Sequence, residues 1–83
     1  MVTTAAERQI ALDFWTAQLD DTTTLLAHPG SHHKLLVRHA FELCKAQTVS
    51  SKDLSDMLEL ADGALAYAIE AQLDLVDSDG ADQ

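Results

Sequence analysis

Four histidines, His28, His32, His33 and His39, fall within twelve residues of one another. Imidazole is a common protein ligand for zinc and related metals, and it titrates near neutral pH. A metal site would combine His28 or His32 with His39 and a carboxylate from another part of the chain. The spacing argues against one. His28 and His32 straddle Pro29-Gly30, and the sequence has no HExxH or CxxC pattern. The histidines read as a surface cluster near a helix start, and neither a metal nor a cofactor is called for.

Carboxylates are the second chemical reservoir. Asp53, Asp56, Glu59, Asp62, Glu70 and Asp74 follow one another, and Asp77, Asp79 and Asp82 extend the run. General acid–base work needs a carboxyl group set apart by its surroundings, and nothing in this run sets one apart. The charge is unevenly placed. Residues 1–52 carry all five bases (Arg8, Lys34, Arg38, Lys45, Lys52) and five acids (Glu7, Asp13, Asp20, Asp21, Glu42), which balance. The whole net charge of −9 therefore lies in residues 53–83. Like charges at helical spacing cost about a few tenths of a kcal/mol per pair, so folding does not ask for this clustering. A solvated face accounts for it. So does a surface that meets a basic partner, or a row of carboxylates that imitates nucleic-acid phosphates and occupies a protein's binding groove.

The other reactive groups are explained without chemistry. Cys44 is predicted on an apolar helix face beside Phe41, where thiols are inert. Ser50 and Ser51 suit helix caps better than nucleophiles. There is no Gly-rich phosphate loop. The chain is read as non-catalytic. A single cysteine cannot form an internal disulfide, and no apolar segment reaches the ~18–20 residues needed to cross a bilayer, so a cytoplasmic protein is expected.

The elements that carry these groups are helical. Alanine and leucine dominate the apolar set, and no alternating apolar run marks a strand. Thr3 or Thr4 can cap a first helix over about residues 4–20, with Ile10, Ala11, Phe14, Trp15, Gln18 and Leu19 as its stripe. Asp20–Thr24 reads as a bend or weak link, and Leu25-Leu26 as an extension or a short extra turn. Ser31 is the expected cap of a second helix over 31–47, burying Leu36, Val37, Ala40, Phe41 and Cys44. Ser50 followed by Asp53 resembles a capping box opening a third helix over 51–76. In it Leu54, Leu58, Ala61, Leu65, Ala68, Ile69, Gln72 and Val76 hold register through Gly63. The acidic tail, 77–83, has no apolar anchor and is expected to be disordered.

The expected fold is thus all-α: one domain built as a three-helix antiparallel bundle with a long C-terminal helix, paired as a dimer. Met57, Leu60, Ala64 and Tyr67 lie outside the narrow stripe of that helix. A second apolar face beside Asp53, Asp56, Glu59, Asp62, Glu70 and Asp74 predicts docking of a protein partner with basic character, or of a second copy. The working expectation is a small accessory or regulatory protein that acts by protein contact. Two alternatives accompany it: an acidic mimic that inhibits a nucleic-acid-binding protein, and a degenerate helix-turn-helix with a turn at Gly63. In the last, the second helix, 64–76, offers no Lys or Arg to phosphates, so direct DNA binding is not expected. Nor is membrane binding, since anionic lipids repel an acidic helix.

Overall fold

The computed structural model describes the backbone of residues 3–81 and the side chains of residues 3–74. Within them the chain is all-helical, with four helices: α1 (Ala5–Leu19), α2 (Thr22–Ala27), α3 (Pro29–Lys45) and α4 (Ser51–Ala81). The expected third and last helix is therefore α4, and the weak link after α1 is a short helix of its own.

Each start has a local cause. The Thr4 hydroxyl accepts from the Glu7 backbone N–H at 3.1 Å and begins α1. The Asp21 carboxylate accepts from the Thr24 N–H at 3.2 Å and from its hydroxyl at 2.7 Å, so three consecutive threonines enter a helix rather than a bend. Those two hydrogen bonds hold the Asp21 carboxyl below the usual carboxylate range. α3 begins at Pro29, not after Ser31. Proline has no N–H to leave unsatisfied in a first turn, and its fixed φ already suits the helix. His28 occupies the cap position, but its side chain makes no cap bond.

The α3–α4 connection is compact. Gln47 takes a left-handed φ of 64°. Its N–H donates to the Cys44 carbonyl at 2.9 Å, and the Thr48 N–H donates to the Leu43 carbonyl at 2.9 Å. That pair is the Schellman arrangement, with glutamine where glycine is commonest. It satisfies carbonyls at the end of α3 and turns the chain so that buried Val49 joins the core. Ser50 and Asp53 then form the expected reciprocal box: the Asp53 N–H donates to the Ser50 hydroxyl, and the Ser50 N–H donates to the Asp53 carboxylate, both at 3.0 Å.

Trp15, Leu36, Ala40, Val49, Met57 and Ala61 form the core, drawn from α1, α3, the connection and α4. Trp15 is 1% exposed, and its indole N–H donates to the Leu36 carbonyl at 3.0 Å, tying α1 to α3. Two expected core aromatics are elsewhere: Phe14 is largely exposed, and Phe41 is 51% exposed. On α3 the buried face centres on His32, Leu36 and Ala40, because α1 and α4 both pack there. Phe41 falls beyond its edge.

α4 runs unbroken through Gly63 to Ala81, past the expected end at Val76. The helix-turn-helix alternative needs a turn at Gly63 and does not survive this. At 31 residues α4 is about 46 Å long, whereas the 17 residues of α3 span about 26 Å. The mismatch sets the shape. The radius of gyration is 15.7 Å, against about 12 Å for a compact chain of this length. Of the expected acidic tail, residues 77–81 continue the helical backbone, and 82–83 lie outside the described residues.

Candidate docking surface

The side chains picked out from the sequence on α4 separate into three sets. Met57 is 3% exposed and belongs to the core, so it drops out of the outward face. The buried side of α4 is Met57, Ala61 and Ala68, turned slightly from the predicted stripe, and Ile69 is left exposed. Leu60 (54% exposed), Ala64 and Tyr67 (56%) do come together. They form one wall of a shallow cleft of about 500 Å³, whose other wall is Leu19, Asp20, Thr22 and Leu25 from α1 and α2. Their i, i+4, i+7 spacing puts them on one flank of the helix. In the opposite wall, the Asp21 cap starts α2, the helix that carries buried Leu25.

The carboxylates divide as well. Asp53 is used within the chain. Arg8 grips it from α1 with two hydrogen bonds, Nε at 2.8 Å and Nη2 at 2.7 Å. The guanidinium foremost, with the Ser50 N–H, holds the Asp53 carboxyl far below the usual carboxylate range, against the opposing pull of burial. Asp62 meets His33 Nε2 at 2.8 Å, linking α4 to α3 at the surface. Asp56, Glu59, Glu70 and Asp74 are exposed and have no cationic partner among the described residues. They flank the cleft along the outer side of α4. An apolar hollow bordered by solvated carboxylates can receive an apolar side chain and orient cations around it.

The histidines do not assemble. Among the described residues no three His, Cys, Asp or Glu side chains converge as a metal would require. His32 is 5% exposed, a core residue rather than part of a surface cluster. Its Nε2 lies 2.8 Å from the Gln18 carbonyl, which can only accept, so that nitrogen carries the proton; Nδ1 has no partner among the described residues. The His32–Leu36–Ala40 spacing, i, i+4, i+8, is the signal that places it on the buried face. His39 Nδ1 sits 3.2 Å from the Gln18 side-chain oxygen, and its ring meets Phe14 edge-on at 5.9 Å. Cys44 is half-buried and free.

No protein-family model, curated protein or solved structure matches the chain. No helix of the described residues is long and apolar enough to cross a membrane.

Proposed function

We propose that this chain is a non-catalytic protein-interaction module, an accessory or regulatory protein whose helices, arranged as an antiparallel bundle, hold the α4 cleft ready for a partner. The observation that supports the reading is the pairing of Leu60 and Tyr67, both more than half exposed, across from Leu19 and Leu25 in one cleft. Apolar area left open at a preformed hollow is an interaction signal, where scattered exposed leucines are not. The partner inserts an apolar side chain and places basic groups near Asp56, Glu59, Glu70 and Asp74. Apolar burial supplies most of the affinity, and the carboxylates set orientation and association rate.

The test is capture on immobilised chain from nuclease-treated lysate, eluted with rising salt. The expected result is a retained protein that resists high salt and is absent from a Leu60→Asp column. Retention that ignores Leu60→Asp and collapses with salt would instead support the acidic-mimic reading. In that case Asp56→Asn with Glu59→Gln would abolish it. A column no different from blank resin rejects both readings.

A further inference from the structure

Resting on that reading of the cleft, we propose that its occupant is the outer edge of α3 from a second copy of the chain, joined head to tail. Lys34, Arg38, Phe41 and Lys45 recur at i, i+4, i+7 and i+11, which lines them up as one ridge along α3. All four are exposed, and the three cations have no carboxylate within ion-pair distance among the described residues. The ridge is an apolar knob with cations on either side. The cleft is an apolar hollow with carboxylates at either end. Each is the complement that the other lacks within its own chain.

The register can be written out. A Cβ added at Gly63 would meet no atom within 4 Å, so α4 presents bare backbone between Leu60 and Tyr67. Setting Phe41 level with Gly63, with the helices antiparallel, brings Lys45 level with Glu59 and Lys34 level with Glu70. Asp20, on the other wall of the cleft, adds a further carboxylate. The parallel alignment matches Lys34 to Asp56 but sets Lys45 level with Tyr67. Antiparallel packing therefore pairs both ends of the ridge, and it also opposes the helix dipoles favourably.

A symmetric contact between two α4 faces fits worse. It brings the Asp56, Glu59, Glu70 and Asp74 set of one copy against the same set of the other, Asp56 toward Glu70 or Asp74, and like charges across an interface discriminate strongly against pairing. The ridge and the cleft are different surfaces, so a joined pair still offers one free ridge, on one copy, and one free cleft, on the other. Such a contact continues into longer chains unless it closes into a ring.

Sedimentation equilibrium of the full chain at physiological salt, from about 10 μM to about 1 mM, tests this. The wild type is expected to grow in mass with concentration, beyond a dimer at the top of the range. Two variants split the interface: Lys34→Glu with Lys45→Glu reverses the ridge and leaves the cleft intact, and Leu60→Asp blocks the cleft and leaves the ridge intact. Each alone is expected to weaken association by about tenfold or more. All the substituted residues are exposed, and circular dichroism checks that both variants keep their helices.

Mixed together, the two variants retain one good ridge and one good cleft, and they are expected to stop at a one-to-one pair. A wild type that stays monomeric throughout overturns the proposal. So does association that the ridge reversal leaves unchanged, or a mixture that fails to pair, since a symmetric interface would behave that way. The broader reading fails separately: a monomeric wild type whose column still retains a partner dependent on Leu60 loses only the second copy as occupant.

Discussion

Asp53 and Asp56 stand three residues apart on α4. The first lies at the helix start, gripped by Arg8 and bonded back to Ser50. The second lies on the outer side and touches no cation among the described residues. Met57 and Leu60 repeat the contrast one turn on: equal spacing and similar apolar size, one in the core and the other in the open cleft wall. The start and inner side of α4 are engaged by the rest of the chain, and its outer flank is not. An acidic run that looks uniform in the sequence is thus two populations, one structural and one available.

Five substitutions sharpen or break that division. The largest effect is expected at Met57, where truncation to alanine leaves a cavity and costs about 2–4 kcal/mol. Leu60→Ala, by contrast, stays within about 0.5 kcal/mol. Urea unfolding of the two variants side by side reads the difference, and equal losses would erase the distinction between inner and outer flank.

Asp53→Asn is next. It weakens both the Arg8 grip and the capping box, and is expected to cost about 1–2 kcal/mol near neutral pH. The sign with pH follows from linkage. The folded-state pKa of Asp53 is lowered, so its contribution is complete above the unfolded value of about 4 and fades as pH falls through the folded value. Thermal melts of wild type and Asp53→Asn should therefore begin to converge as pH falls below about 5, and meet only in strong acid, below the folded value. A gap that does not narrow as pH falls would mean that the carboxylate charge is not what holds the two helices.

Gly63→Ala acts in the other direction. The position is exposed, helical and open to a Cβ, so alanine is expected to stabilise the fold by about 1 kcal/mol. The same methyl group narrows the bare strip between Leu60 and Tyr67. A variant that melts higher yet associates more weakly would tie the glycine to docking. The smallest effect belongs to Asp62→Asn, which removes an exposed contact to His33 and shifts stability by about 0.5 kcal/mol or less.

What the sequence disclosed follows the range of each interaction. Thr4 as a cap, the Ser50–Asp53 box and the unbroken run of α4 depend on residues within a few positions, and they were readable. Burial depends on which helix lies beside which, and that is not written in the period of any one helix. Phe14, Ile10 and Phe41 satisfy a helical period yet lie outside the wedge that the neighbours cover, while Met57 and His32 lie within it. Helical period gives the width of an apolar stripe but not the direction from which a second helix approaches. The Arg8–Asp53 grip joins residues 45 positions apart and left no local mark. Half of the candidate surface was legible for the same reason. Leu60, Ala64 and Tyr67 share one helix, but Leu19 at the end of α1 and Leu25 on α2 meet them only through the tertiary fold.

Trp15 gives the molecule its own optical reporter. It is the one tryptophan, enclosed at the joint of α1 and α3 with its indole N–H already committed. Its fluorescence should be blue-shifted in the folded chain and should move red when α1 lifts from α3. Leu60 and Tyr67 lie outside its core cluster, so a partner that merely seats itself on α4 should leave the emission maximum in place. A red shift on binding would mark a partner that pries the first helix away, and would turn a passive contact into an opening event.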